Sequence, residues 1–438
     1  MGDFDRAAVD ACDRIAALDP RSGGRVVAAV MVRNEQDIIE RFVRHALGLV
    51  DAILVVDHAS ADATRAILQQ LVAEGLPLAV IADGALGYHQ SDRMTRLAKI
   101  AASRLKAHPF VPLDADEFLI PTKGADLRAL LRELPRDDVR VSIWRSYVPV
   151  QEDDADEPDV LKRITHRRVR EAAPMPKAIL GGDVAARLDS RIEIGAHAVV
   201  LGADRTITEP NDDRFVLAHF PVRSGPQIVA KVALIKLTLQ LSNERPPHAG
   251  VHYRWLESIV PLSPTMSRQA LQRAALLYGC PSEVEDVELI RDPAPTASDS
   301  LRYLADQPAN YLAGLESFAC ALIERLAGEG LPEAEATVVE SLVLYENQRL
   351  RTALDLIQSE LAGSDKRADA LFLDQRVAEI VARLRSTPEP QRIEEVAELE
   401  RKAARATELE QRLSSLLQSR SWRLTAPLRQ AMTLLRGR

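Results

Sequence analysis

Phe110-Val111-Pro112-Leu113-Asp114-Ala115-Asp116-Glu117-Phe118-Leu119-Ile120 sets three carboxylates inside a run that is otherwise almost wholly apolar. Such a run reads as a buried strand, and a carboxylate taken out of water is costly unless it is paired or bound to a cation. In an extended chain residues two apart share a face, so Asp114 and Asp116 can aim at one ion. The competing reading is a strand end whose acids are simply solvated. A lone Asp-x-Asp does not choose between them; the surrounding chain has to.

Upstream the pattern alternates. Arg25 to Val32 has the composition of a buried strand, and Asn34 with Asp37 three residues on resembles a capping box. A helix is predicted to follow, with Ile38, Ile39, Phe42, Val43, Ala46 and Leu47 at helical spacing. Ala52 to Val56 is a second strand ending at Asp57, and Ser60 can cap a helix from about Asp62 to Glu74. Leu78 to Ala82 is a third strand. Gly84 and Gly87 then open a loop holding Tyr88, His89, Gln90 and Asp92, and a helix from about Arg93 to Ala107 leads into the acidic stretch. Repeated strand–helix alternation with short connections predicts an α/β fold, a doubly wound, mostly parallel sheet that binds its ligand at the carboxyl ends of its strands. Asn34, Glu35, Asp57, Ser60, Asp62, Asp114 and Asp116 all fall on that edge.

Beyond Ile120 the pattern loosens. Val139 to Trp144 reads as a strand, Gln151 to Asp159 packs six acids into what is first of all a solvated loop, and Ala178 to Leu180 and Arg191 to Ile194 are short extended pieces. Phe215 to Ser224 is another strand, with His219 among apolar neighbours, and Gln227 to Leu241 reads as a helix. From about Ser263 the composition turns helical with no further strand signal. Pro388 and Pro390 break that stretch, and Leu399, Ala406 and Leu413 then recur at sevenfold spacing with Leu409 and Leu416 interleaved, a short coiled coil. The expected organisation is a lead over 1–24, an α/β domain over 25–262, a helical domain over 263–386, and a coiled coil with a basic tail over 387–438.

Composition narrows the function classes. The 438 residues carry 46% hydrophobic residues, enough core for two or three domains without covalent staples. Cys12, Cys280 and Cys320 are too few and too scattered for a disulfide framework or a zinc site, which suggests a reducing compartment, with the cytoplasm as default. No basic region followed by an apolar core opens the chain, and no apolar run approaches membrane-spanning length. A net charge of -8 argues against nucleic acid as the main partner. Charge is nonetheless uneven: Gln411 to Arg438 holds six arginines and no acid, with Trp422, Leu424 and Leu428 between them. That end suits the anionic inner face of a membrane, a partner protein or a packed terminal helix.

The strand-end turns exclude several chemistries. A dinucleotide site needs a glycine-rich turn after the first strand, where this chain has Val32-Arg33-Asn34-Glu35. No Walker loop, no Gly-x-Ser-x-Gly elbow and no His-Glu-x-x-His pair is present. A site rich in carboxylates and poor in glycine suits a hard cation with oxygen ligands, completed by the phosphates of a nucleotide.

Val32-Arg-Asn-Glu35, Val55-Val-Asp-His-Ala-Ser-Ala-Asp62 and Leu113-Asp-Ala-Asp-Glu-Phe118, in this order, resemble the bacterial family 2 glycosyltransferases of the GT-A fold. The branch is the one with Asn-Glu, Asp-x-x-Ser-x-Asp and Asp-x-Asp-Glu-Phe motifs. The resemblance is good over 25–125 and thinner to about 260, where His219-Phe-Pro-Val-Arg-Ser224 with Lys231 is similar to a further element of the branch. Ala63 departs from the glycine often found in the second turn. The tail Ser419 to Arg429 resembles an ending common among bacterial polysaccharide and lipopolysaccharide enzymes.

The resemblance implies an inverting, hexosyltransferase-like enzyme moving a sugar from a nucleotide-sugar donor to a cell-envelope glycan or lipid-linked acceptor. Asn34, Glu35, Asp57, Ser60, Asp62, Gln90 and Arg93 would lie on the donor side. Asp114 and Asp116 would hold a divalent ion, manganese or magnesium, on the diphosphate. His219 is the candidate further ligand, weighed against a satisfied core histidine, and Arg223 and Lys231 are candidate phosphate-facing cations. Candidate catalytic bases are Glu117, Asp153, Asp154, Asp212 and Asp213; Lys177 and His197 sit where the family often places polar contacts. The coiled coil would allow a homo-oligomer. Two alternatives stay open: a catalytically degenerate scaffold recruiting an assembly complex, and a nucleotidyltransferase, which would usually want the glycine-rich turn that is missing here.

Overall fold

Alternate residues of the first strand, β1 (Arg25–Val32), enter two different cores: Val26, Ala28, Val30 and Val32 pack on one face of a sheet, Val27 and Ala29 on the other. The second strand, β2 (Ala52–Asp57), divides the same way, with Ile53 and Val55 against Ala52, Leu54 and Val56. A strand buried on both faces is apolar at every position and is covered by helices above and below. The computed structural model describes residues 2–122, 124–171, 175–203, 205–210, 212–240, 256, 266–278, 287–295 and 300–303, all within the unit Met1–Gly330.

Helix α1 (Asp3–Leu18) precedes β1. Then follow α2 (Ile39–Leu47), β2, α3 (Thr64–Ala73), β3 (Leu78–Ala82), α4 (Gln90–Leu105), β4 (Ala107–Leu113), β5 (Glu117–Pro121), α5 (Leu127–Arg132) and β6 (Val139–Ser146). Next come α6 (Val160–Arg163), β7 (His166–Arg168), β8 (Pro176–Leu180), α7 (Gly182–Ala186), β9 (Ser190–Ile192), β10 (Val199–Leu201), β11 (Arg205–Ile207), β12 (Phe215–His219) and α8 (Gly225–Gln240). A helix α9 (Arg268–Leu277) and a strand β13 (Leu289–Arg291) complete the described elements.

The main sheet has eight strands in the order β3-β2-β1-β4-β8-β6-β12-β5. Neighbours from β3 to β4 are parallel, as the alternation predicts, and β12 is parallel to β6. Strand β8 runs antiparallel to β4 and to β6, and β5 antiparallel to β12. The fold is thus a mixed α/β architecture with a large, mostly parallel sheet flanked by helices. Helices α2, α3 and α8 cover one face; α1 and α4 cover the other, where Ala8, Ala11, Cys12 and Ile15 of α1 are buried. Helix α1 is therefore an integral layer of the core.

Three local expectations need correcting. Asp114-Ala115-Asp116 is a turn rather than extended strand: β4 stops at Leu113, Glu117 N–H donates to the Asp114 carbonyl at 3.0 Å, and β5 leaves for the far edge of the sheet. Helix α2 starts at Ile39 and α3 at Thr64, so neither Asn34 nor Ser60 caps a helix; each is spent on contacts between loops. Strand β13, in a region with no strand signal, pairs antiparallel with β7 over three residues, too short a run to leave a period in the sequence. Most of 263–386 and all of 387–438, including the coiled coil and the basic tail, lie outside the described residues. Among the described residues no helix is long and apolar enough to cross a membrane.

The acidic turn is pinned from behind. Phe118, fully buried, meets Phe42 edge-on at 6.2 Å and Phe220 at 5.7 Å between ring centres. Burying such a ring is worth about 1.5–3 kcal/mol, and it fixes where the preceding carboxylates stand.

Candidate functional site

The loops that follow β1 and β2 are sewn together by their polar side chains. Asn34 adopts a left-handed φ of 57°, which asparagine tolerates better than most residues, and this turns its side chain across to the other loop. Its Oδ1 accepts the Ala61 N–H at 2.8 Å, and its own N–H donates to Ser60 Oγ at 3.1 Å. Glu35 N–H donates to Thr64 Oγ1 at 2.8 Å, and Gln36 N–H to Asp62 Oδ2 at 3.2 Å. Asp57 is fully buried and accepts from Ser60 N–H at 3.0 Å and Arg65 Nε at 2.9 Å.

Beside these loops, at the carboxyl ends of β1 and β4, lies a cavity of about 200 Å³. This is where an open α/β sheet binds ligands, at the point where strand order reverses. Asn34, Glu35, Asp62, Gln90, Asp114, Asp116, His219 and Lys231 line it; Asp57 and Ser60 stand behind the wall. Helix α8 closes one side through Lys231, Leu234 and Ile235, and Trp144, Ile194, His197 and Tyr278 form a more apolar side.

Each aspartate of the turn faces its own lysine. Lys231 Nζ is 2.7 Å from Asp116 Oδ2 and 3.4 Å from Glu35 Oε1. Lys177 Nζ is 3.1 Å from Asp114 Oδ2 and 2.5 Å from Glu117 Oε2, and it donates to the Gly195 carbonyl at 2.8 Å. The other oxygen of Asp114 accepts from Gln90 Nε2 at 2.7 Å. Burial opposes ionisation of Asp116, but Lys231 and Arg223 outweigh it and hold the carboxyl well below the usual range. Asp114 is lowered in the same way, burial being outweighed by Lys177. Glu117, also buried, is pushed up to about 8 by burial, with the Asp114 charge adding to the rise and Lys177 opposing it; its Oε1 has no hydrogen-bond partner among the described residues.

Arg223 is wholly buried and locked. It donates to Asp37 at 2.7 and 2.9 Å, to Glu35, and to the Phe220 carbonyl at 3.2 Å, with Asp116 Oδ2 at 3.6 Å. His219 lies stacked on Trp144 with ring centres 4.2 Å apart and has Nε2 3.9 Å from Asp116 Oδ1. Burial pushes its pKa down to about 3, so the imidazole is neutral and able to ligate. His197 Nδ1 lies 2.7 Å from the Pro176 carbonyl, which can only accept, so in the neutral ring Nε2 carries the lone pair.

Several expected site residues are elsewhere. Arg93 donates to Asp83 at 2.7 Å and lies over the Phe4 ring, lining a separate surface depression near the start of α1. Among the base candidates, Glu117 is behind the turn, and Asp153 accepts the Val150 N–H at the edge of the acidic loop. Asp154 and Asp213 are exposed, and Asp212 pairs with Arg214 at 2.6 Å; none of the five lines the cavity. Trp144, Tyr278 and Asp37 line it without having been singled out as site residues. An aromatic in a strand and an acid three residues past a turn carry no signal in sequence that separates site from core or cap.

A divalent ion can be tested against these donors. Two ligands at about 2.1 Å from one ion stand at most about 4.2 Å apart, and Asp116 Oδ1 and His219 Nε2 fall inside that limit at 3.9 Å. One carboxylate and one neutral imidazole suit an ion that takes its remaining ligands from phosphate oxygens and water. Asp114 has both oxygens engaged by Gln90 and Lys177. Among the described residues no group of three or more His, Cys, Asp or Glu side chains is placed to hold a metal ion, so an ion at Asp116 and His219 would have to draw its remaining ligands from phosphate or water.

No protein-family model matches the chain, and no curated protein matches it. Among solved structures it is similar to HddC from Yersinia pseudotuberculosis, at 13% identity over 37% of this chain and 79% of that one, with a TM-score of 0.22. A putative glucose-1-phosphate thymidylyltransferase from Bacillus anthracis, in complex with a sucrose, matches at 8% identity over 37% and 74%, TM-score 0.22. UDP-glucose pyrophosphorylase complexed with UDP-glucose matches at 7% over 68% and 99%, TM-score 0.20. Likenesses at this level place no activity on the chain, and its function has to be read from the cavity.

Proposed function

We propose that the chain is a nucleotide-sugar-dependent glycosyltransferase whose donor diphosphate lies against Asp116, His219 and Lys231. The observation that carries this reading is the arrangement at Asp116: a carboxylate held ionised, with a neutral imidazole 3.9 Å from one oxygen and a lysine 2.7 Å from the other, at the ligand edge of the sheet. Asp116 and His219 would hold the divalent ion. When bound, it would supply positive charge to the departing nucleoside diphosphate. Asp114 then acts on the shape of the turn, through Lys177 and Gln90. The loops around Asn34, Glu35 and Asp62 take the nucleoside, and the more apolar side at Trp144, Ile194 and Tyr278 takes the sugar and its acceptor, a cell-envelope glycan or lipid-linked glycan.

The acceptor hydroxyl must lose a proton as it attacks. His197 would take it: it lines the more apolar side of the cavity, its Nδ1 is anchored on Pro176, and its Nε2 carries the lone pair in the neutral ring. A panel of nucleotide sugars, assayed with manganese for nucleoside diphosphate release, tests the reading. Release from one donor, lost in Asp116→Ala and in chelator, is the expected result. Pyrophosphate as the product would point to nucleotidyl transfer instead, and no binding of any nucleotide would point to a scaffold.

A further inference from the structure

Asp116 is flanked by two cations that differ in freedom. Arg223 is wholly buried and tied to Asp37, Glu35 and the Phe220 carbonyl, so it cannot leave. Lys231 reaches in from α8 on a flexible stem, is partly open to the cavity at 23% exposure, and touches Asp116 Oδ2 at 2.7 Å. Its ammonium thus sits on the carboxylate that, with His219, makes the partial ion site. A divalent ion on Asp116 and an ammonium on the same carboxylate repel each other at contact distance, in a cavity where water screens them weakly.

We propose that Lys231 is an internal counter-ion, a positioning residue that neutralises Asp116 in the donor-free protein and competes with the divalent ion for it. Arrival of ion and diphosphate together releases the ammonium, which then has an anionic partner in the diphosphate oxygens a few ångströms away. Ion alone therefore binds weakly and ion with nucleoside diphosphate binds well, because the second exchange gives the lysine a diphosphate in place of Asp116, beside the Glu35 carboxylate it already touches at 3.4 Å. By linkage the diphosphate must then raise ion affinity and the ion must raise diphosphate affinity by the same factor. The inference rests on the proposed diphosphate site, yet its central claim concerns ion binding alone and can fail separately.

The experiment is titration of the full chain with manganese alone, free ion being read by electron paramagnetic resonance. Wild type is compared with Lys231→Met, Lys231→Gln and Asp116→Asn, each checked for fold by circular dichroism. Removing the ammonium should tighten manganese binding about tenfold in the Met or Gln variant, while Asp116→Asn should abolish it. Added nucleoside diphosphate should raise manganese affinity in wild type and much less in Lys231→Met. Unchanged or weaker manganese binding in folded Lys231→Met and Lys231→Gln overturns the proposal, as does the absence of binding in every form. A tightened Lys231→Met that releases no nucleoside diphosphate from any donor even as wild type would leave the counter-ion role standing and remove the transferase reading.

Discussion

Glu117 Oε2 accepts the backbone N–H of Asp114 at 3.0 Å, so the third acid of the Asp-Ala-Asp-Glu stretch closes the turn on which the first two stand. The carboxylate is buried to 1% exposure and shares Lys177 with Asp114. It braces the turn from behind and does not line the cavity.

That placement predicts a pH dependence of stability. Burial raises Glu117 from 4.5 to about 8 in the folded protein, so the folded state holds this proton more tightly than the unfolded chain does. Below 4.5 both states carry it; between 4.5 and about 8 the unfolded chain releases it first, and stability falls as pH rises. Glu117→Gln cannot titrate and should flatten this slope by about 1–3 kcal/mol across the window. Urea denaturation midpoints at pH 5 and pH 8 measure it, and equal slopes in both proteins would contradict the assignment.

Asp116 and Asp114 should separate in a kinetic comparison. Loss of the carboxylate that would hold the divalent ion removes the positive charge set against the leaving diphosphate, so Asp116→Ala should lower kcat by about 10²–10³. Asp114 works through Lys177 and Gln90, and Asp114→Ala should cost about 10–100-fold. Steady-state rates of nucleoside diphosphate release on the donor found by screening decide it; full activity in both would exclude the turn from the chemistry.

His197 carries the proton-transfer prediction. Burial, with Lys177 adding to it, lowers its pKa below the ordinary histidine value, so it remains an unprotonated base down to that lower pH. His197→Ala should lose about 10²–10⁴ in kcat. The acid limb of the wild-type pH profile should lie below the usual histidine range, and this limb should vanish in the variant.

A fourth prediction concerns stability alone. Arg41 and Asp159 are 1% and 2% exposed and pair at 2.5 Å, tying α2 to the end of the acidic loop. Asp159→Ala removes a carboxylate that pairs with the buried Arg41 guanidinium and caps α6, and should cost about 3–5 kcal/mol. Chemical denaturation measures it. The same substitution at exposed Asp154, whose side chain accepts the Asp156 N–H of its own loop, should be near neutral.

Short-range patterns were legible because they are written by neighbours. The apolar runs of β1, β2 and β4 and the helices between them follow from period and spacing, and so does the collection of Asn34, Glu35, Asp62, Asp114 and Asp116 at one sheet edge. Cap assignments at Asn34 and Ser60 failed because each side chain found a partner 26 or 27 residues away in the other loop, which a local rule cannot see. Arg93 stands away from the cavity for a similar reason: it pairs with Asp83 and lies over Phe4.

By itself the sequence determined the alternation of strand and helix and the position of the three acids at the end of the fourth strand. Only the tertiary structure decided which cation stands beside which acid. Lys177 lies 63 residues from Asp114, and Lys231 lies 115 residues from Asp116. Each reaches its acid because β8 inserts antiparallel beside β4 and because α8 packs across the cavity mouth. Charge in a buried site is governed by what stands within a few ångströms, and sheet order, not residue order, sets those neighbours.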